Sequence, residues 1–234
     1  MKRVLSTIAV CLGLWGCQKP APPRQSTSEC ADSECADAEV IVDRLVDMGY
    51  LKFVPDDQQA DVRRQLTDTA IEGYLETEWN EDCVSVDLRS YPADNENLAE
   101  GDIGATILLM RPVLEREGVT LDSVEDEFGG TDSKPGDEGY RVLINGETDV
   151  IYKSGDVPSA DLWSLSLQRL LEIVNGLLED AGSSERLYGM YGGNDGRVIL
   201  LTPEMHNYID SMGDVLDSDW MPYSAESRNT VDWQ

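Results

Sequence analysis

Reactive side chains are scarce in this sequence except for carboxylates: there is one histidine, His206, against five cysteines and 46 acidic residues. A Ser-His-Asp or Cys-His mechanism would have to use His206. No G-x-S-x-G elbow accompanies it, and no cysteine stands in a nucleophile context. His206 therefore reads as a polar surface residue. A catalytic zinc centre wants several His or Cys ligands, which the chain does not offer. The glycine-rich run Gly192–Gly196, "GGNDG", leads into the apolar stretch "RVILL". A phosphate cradle needs such a loop to open a helix, so a hairpin turn is the simpler reading. The acidic loops "PADNENLAEGD" and "EDEFGGTDSKPGDEG" are rich in oxygen donors, but neither has the D-x-[DN]-x-[DN]-G spacing of a calcium loop. Two carboxylates 5–10 Å apart would suffice for glycoside hydrolysis. Among 46 nothing selects the pair, so no catalytic residue, metal ligand or cofactor site is assigned.

The cysteine with a definite chemical context is Cys17. Lys2-Arg3 precedes an uncharged apolar run of 13 residues, "VLSTIAVCLGLWG", and the polar, proline-bearing "QKPAPPRQSTSE" follows Cys17. This is the three-part plan of an export signal. As a helix the run would reach roughly 20 Å, short of a hydrocarbon core of about 30 Å. "LWGC" places Leu14 at −3, Gly16 at −1 and cysteine at +1, with Trp15 where a smaller residue is usual. Residues 1–17 thus resemble the signal peptide and lipobox of bacterial lipoprotein precursors. The resemblance implies a diacylglyceryl group on the Cys17 sulfur, cleavage after Gly16 and acylation of the new amino terminus. Several buried acyl chains, at about 0.8 kcal/mol per CH₂, make such attachment stable. Gln18 at +2 resembles the outer-membrane sorting pattern of cells with two membranes; with one membrane the anchor lies in its outer leaflet.

Cleavage removes Cys11, Lys2 and Arg3, leaving 16 basic against 46 acidic residues, a charge of −30 compared with −28 for the whole chain. Such a surface repels nucleic-acid phosphates and anionic lipid headgroups, so nucleic acid is excluded as a partner. Cationic partners remain, above all a basic protein. Cys30 and Cys35 sit in the tandem "SECAD" repeats. An exported setting permits a disulfide between them. Two free thiols in a tether are the alternative, and the sequence does not choose. The prolines and small polar residues of 18–37 have the composition of a spacer.

The elements behind the spacer follow from periodicity. "AEVIVDRLVDMGY" has Ile41, Leu45 and Met48 at helical spacing, closed by Gly49, and a second helix opens after Pro55, its stripe Val62, Leu66 and Ala70 extending towards Leu75 or Trp79. "CVSVDLRS" alternates as a half-buried strand, and "YPADNENLAEG" reads as a turn-rich loop. "DIGATILLMRPVLEREG" reads as a helix that Pro112 kinks or interrupts. Asn145-Gly146 marks a hairpin in "GYRVLINGETDVIY". A two-residue loop pairs Val142 with Asp149, whereas a four-residue loop pairs Leu143 with Val150 and suits one-face burial better. "DLWSLSLQRLLEIVNGLL" is the clearest helix, with Trp163, Leu167, Leu170, Val174, Leu177 and Leu178 on one face. A second hairpin joins Leu187–Tyr191 to Arg197–Thr202 through Gly192–Gly196, setting Tyr188 and Met190 on the face of Val198 and Leu200. Thr202-Pro203-Glu204 then caps a closing helix, "PEMHNYIDSM".

The expectation is an α+β fold, its antiparallel sheet built from two hairpins plus at least one further strand and packed on four to five helices. Residues 1–16 are read as signal peptide, 17–37 as lipidated cysteine and linker, 38–214 as a single monomeric domain and 215–234 as an irregular acidic tail. The function read from these features is that of a lipid-anchored envelope protein, most simply a non-catalytic binding or protective module. A carboxylate-dependent hydrolase and a structural lipoprotein are its alternatives. The anchor is directly testable: a fatty-acid probe fed to cells is expected to label the wild-type chain and not Cys17→Ser, and equal labelling of both would refute lipidation.

Overall fold

The computed structural model describes residues 32–128, 139–153, 158, 161–190, 195–213 and 215–225. The segment read as a signal peptide, Cys17, Cys30 and the Cys35 side chain lie outside the described residues. The fold is α+β, as expected; among the described residues it has six helices, and the two hairpins lie in separate three-stranded antiparallel sheets rather than in the single sheet expected, each hairpin taking up one further strand. Helices α1 (Asp32–Asp47) and α2 (Gln59–Ala70) flank a 3-10 turn, Tyr50–Phe53. Strand β1 (Ser90–Pro92), helices α3 (Asn95–Glu100) and α4 (Ile103–Arg116) and strands β2 (Val124–Phe128), β3 (Tyr140–Ile144) and β4 (Glu147–Tyr152) follow. Helix α5 (Leu162–Asp180), strands β5 (Arg186–Met190) and β6 (Arg197–Leu201) and helix α6 (Pro203–Asp210) complete the order, before a short 3-10 turn at Ser218–Trp220.

Strand β6 lies between β1 and β5 and is buried at all five positions. Its residues alternate between two cores, as a strand covered on both faces must. Leu187, Val198 and Leu200 point into one core with α4, α5 and the β2-β3-β4 sheet, while Tyr188, Met190, Ile199 and Leu201 point into the other with α1, α2 and α6. Leu187 pairs with Leu200 and Tyr188 with Ile199, so the hairpin register is one residue away from the expected one. A six-residue connection between Met190 and Arg197 replaces the five-residue loop and exchanges the faces. On α5, Leu167, Leu170, Leu171, Val174 and Leu178 have no exposed surface, each contributing roughly 1.5–3 kcal/mol. Trp163 stands at the edge of that stripe and is exposed, because Leu162 and Ser166 take the inward positions.

Several elements differ from the pattern reading for local reasons. Helix α4 runs unbroken through Pro112, which lies on its exposed side, as does Leu108, whose carbonyl the missing N–H would have met. The alternating "CVSVDLRS" is not a strand. Cys83 and Leu88 take left-handed backbone angles, and the Ser85 and Asp87 side chains accept the N–H groups of Arg89 and Ser90, winding the segment into turns. Pairing begins only at Ser90. The loop "YPADNENLAEG" contains α3, with Asp94 accepting the N–H groups of Glu96 and Asn97 and Gly101 (φ 118°) closing it. The whole of "EDEF", which opens the second acidic loop, belongs to strand β2. At Asn145-Gly146 both residues have positive φ, which fits a two-residue turn, and Val142 pairs with Asp149; a register shift at Tyr140 then sets Tyr140 opposite Tyr152. Residues 215–225 pack on the domain: Leu216 is buried and Tyr223 exchanges both backbone hydrogen bonds with Gly189.

The second sheet is fastened to α4 by a cap that comes from outside the helix. Asp126 of β2 accepts the N–H groups of Gly104 and Ala105, Tyr140 of β3 donates its hydroxyl to Asp126, and the Ile103 N–H donates to that hydroxyl oxygen at 3.1 Å. Three of the first N–H groups of α4 are thereby satisfied. Burial raises the Asp126 pKa and the three donors oppose it. A Cβ at Gly104 would meet the Asp126 carboxylate at 2.5 Å. Gly104→Ala is therefore expected to destabilise the protein by about 1–3 kcal/mol in urea unfolding, although Gly→Ala in an exposed helix interior stabilises by about 1 kcal/mol. Unchanged or raised stability would show the cap to be loose.

Candidate functional site

Arg89 carries the most heavily engaged charge in the described residues. It follows the Asp87 turn, and its guanidinium is completely buried beneath the first sheet. Nε donates to the Tyr50 carbonyl, Nη2 to Gly49 O at 3.1 Å and Nη1 to Leu200 O at 2.7 Å. Nη1 also meets Glu185 Oε2 at 3.1 Å, where both side chains are fully buried. The Tyr50 and Phe53 rings lie 4.7 and 4.9 Å from the guanidinium carbon. Flat, weakly hydrated and rich in donors, a guanidinium suits this place better than an ammonium would. On its other oxygen Glu185 meets Lys52 Nζ at 3.0 Å, and Lys52 also meets Glu117 at 2.9 Å. Glu117 accepts from Ser183 Oγ at 2.6 Å. The network ties the 3-10 turn, the end of α4, the α5–β5 corner and β6 to one another.

A second polar cluster lies where α2 gives way to the segment 74–79. Thr69 Oγ1 of α2 donates to the Glu76 carbonyl at 2.9 Å, and Gln65 Oε1 accepts the Glu78 N–H at 3.1 Å. The Glu76 carboxylate is half-buried and its Oε1 has neither solvent nor a hydrogen-bond partner. Burial lifts its pKa to about 7 against the pull of Arg197 and Trp79, with Asp87 adding to the rise. The Trp79 indole N–H lies close enough to favour the carboxylate without completing a hydrogen bond. Arg197 of β6 donates from Nε to Ser90 Oγ at 2.8 Å and from Nη2 to Cys83 O at 3.0 Å, and lies 4.0 Å over the Trp79 ring. Burial and the neighbouring Asp87 raise the Tyr50 hydroxyl well above its usual range.

His206 is far from free for catalysis. Its ring stacks on Tyr188 at 4.1 Å, and Nε2 lies 3.1 Å from the Pro222 carbonyl, so the proton there holds the 221–225 segment in place. Cys83 is disulfide-bonded. Among the described residues no group of three or more His, Cys, Asp or Glu side chains is placed to hold a metal ion. Among them, too, no helix is long and apolar enough to cross a membrane. Sequence reasoning missed Arg89, Glu185, Glu76 and Arg197. The available signal was a charge inside an apolar alternation, as in "VSVDLRS" and "GRVILL".

No protein-family model, curated protein or solved structure matches the chain.

The Arg89 network has a sharp energetic signature. Arg89→Met alone leaves the buried Glu185 with only the partly exposed Lys52 for compensation, and is expected to cost about 3–5 kcal/mol in denaturant unfolding. The double change Arg89→Met with Glu185→Met is expected to recover most of that loss. A double variant as unstable as the single would mean that the carbonyl contacts of Arg89, and not the charge pair, hold the fold.

Proposed function

We propose that this chain is a lipid-anchored cell-envelope protein whose acidic domain is a non-catalytic binding or protective module for a basic protein partner. The observation that carries the reading is the distribution of charge on the α1–α2 side. From Asp37 to Asp82 the exposed residues include twelve carboxylates and only four cations, Arg44, Lys52, Arg63 and Arg64. All four cations are already in ion pairs: Arg63 with Asp43, Arg64 with Asp61, Arg44 with Glu204, and Lys52 with Glu117 and Glu185. Meanwhile Arg89 and Arg197 are withdrawn into the interior. The exposed carboxylates outnumber the exposed cations threefold on this side, and a field of one sign steers oppositely charged proteins into contact. The anchor at Cys17 would hold this surface at the membrane that an incoming basic protein must reach.

A carboxylate-dependent hydrolase is the second reading, favoured by Glu76, whose pKa near 7 suits a general acid and which has the buried Asp87 for a neighbour. Against it, Glu76 Oε1 has no exposed surface in this conformation, and the Asp87 carboxylate holds the Arg89 and Ser85 turn. The readings separate in one experiment. The anchored protein, used as bait in an envelope extract, is expected to retain a basic protein that elutes progressively between about 0.1 and 0.5 M salt, where screening shortens the reach of surface charge to a few ångströms. Retention indifferent to salt, or no partner at all, would overturn the electrostatic module.

A further inference from the structure

We infer that residues 74–79 form a proton-sensitive strap, closed over the second core while Glu76 is neutral and loosened when Glu76 ionises. The strap is a single extended run rather than part of a sheet ladder. Among the described residues its backbone is held by the Tyr74 N–H on the Thr69 carbonyl at 3.0 Å, Thr69 Oγ1 on the Glu76 backbone, Gln65 on the Glu78 N–H, the Glu78 carbonyl accepting from Val86 N–H at 2.8 Å, and one isolated bridge between Trp79 and Ser85. Beneath it Leu75 lines a small apolar cavity with Met190, Ile199, Ile209, Leu216 and Trp220. Tyr74 packs on Trp220 at 5.0 Å, and the Gly73 carbonyl accepts the Asp217 N–H at 2.9 Å, so the strap and the segment 215–222 close that cavity together.

The carboxylate is the weak point of this closure. One oxygen of Glu76 is buried without a partner, as are the Thr77 hydroxyl and the Trp79 indole N–H on the same run. A neutral carboxyl tolerates that environment; a carboxylate loses more hydration there than its neighbours make up. Of the groups that face it, the Trp79 indole N–H and Arg197 favour its charge, but burial outweighs them both. Arg197 of β6 attracts it through space, with its Nε and Nη2 directed at Ser90 and Cys83; Asp87 in the neighbouring turn repels it, and the Tyr50 hydroxyl of the 3-10 turn lies within reach of its charge. From α2 come only Gln65 and Thr69, which hold backbone atoms. Opening the strap returns the carboxylate to water and uncovers Leu75, Trp79 and the face of Arg197.

The sign follows from linkage. The closed form binds the Glu76 proton up to about pH 7, whereas an open, solvated glutamate loses it near pH 4.5. The open form therefore holds fewer protons between those limits, and the ratio of open to closed rises with pH across that window, then levels off above it. Amide hydrogen exchange of the full chain, corrected for the intrinsic pH dependence, is expected to show protection at 75–79 falling by about a hundredfold from pH 4.5 to 7.5. In Glu76→Gln the same amides are expected to stay protected and flat over that range, while the α5 amides are flat in both proteins. Equal slopes in wild type and Glu76→Gln, or none in wild type, would overturn the strap. The side-chain carboxyl ¹³C shift of Glu76 in the wild type gives a reading that does not depend on the variant folding: a midpoint near 7 is expected, and one near 4.5 refutes the proposal.

Discussion

The structure turns on a guanidinium in a place without water. Arg89 donates to three backbone carbonyls from two separate stretches of chain, the neighbours Gly49 and Tyr50 and the distant Leu200, and pairs with a fully buried Glu185 from a third. Taking both charges out of water costs several kcal/mol per ion before any bond is made. That cost is offset only while all partners are present together, which makes the contact cooperative. The 3-10 turn must sit against β6, and the α5–β5 corner must bring Glu185 to the same point. A packed apolar residue would be no less stabilising; what the ion pair adds is a geometric condition linking the two cores across the first sheet.

The same logic is repeated at lower stakes elsewhere. Asp126 and Tyr140 reach from the second sheet to the start of α4, Arg116 at its end donates to the Phe53 carbonyl at 2.8 Å, and Asn175 of α5 exchanges hydrogen bonds with the Leu187 backbone at 2.6 and 3.0 Å. Side chains, and not further strands, join the helices to the sheets. Two of the cations, Arg89 and Arg197, are drawn inward as part of this arrangement. Glu76 stands apart from these arrangements, since it is a buried acid that no cation has been brought close enough to pair.

Much of the fold was legible from pattern. The α5 stripe, the Thr202-Pro203 start of α6 and the Asn145-Gly146 turn are local signals with local causes, and each is where the periodicity and turn chemistry put it. The misreadings have local causes of another kind. Val84, Val86 and Leu88 alternate like a strand, but Ser85 and Asp87 between them supply oxygens that capture the following N–H groups. Pro112 reads as a breaker until its exposed position is known. The β5–β6 hairpin was recognisable, yet its faces depend on a loop length that differs by one residue from the expected value, and both faces being apolar, the residues themselves do not express a preference.

What the sequence by itself determined is what depends on near neighbours in the chain: the export-signal pattern ending in Cys17, the acidic balance, the α+β class and the main helices and hairpins. Periodicity and turn chemistry act over a few residues, so they can be read without knowing what lies opposite. Tertiary structure alone decided which charges are buried and with what. Arg89 and Glu185 are 96 residues apart, and Glu76 is held between a helix before it and a strand more than a hundred residues after it. A side chain's solvation is a property of everything that surrounds it, and that is why a carboxyl group stands in water at Asp82 and is half-buried, with its pKa raised by that burial, at Glu76.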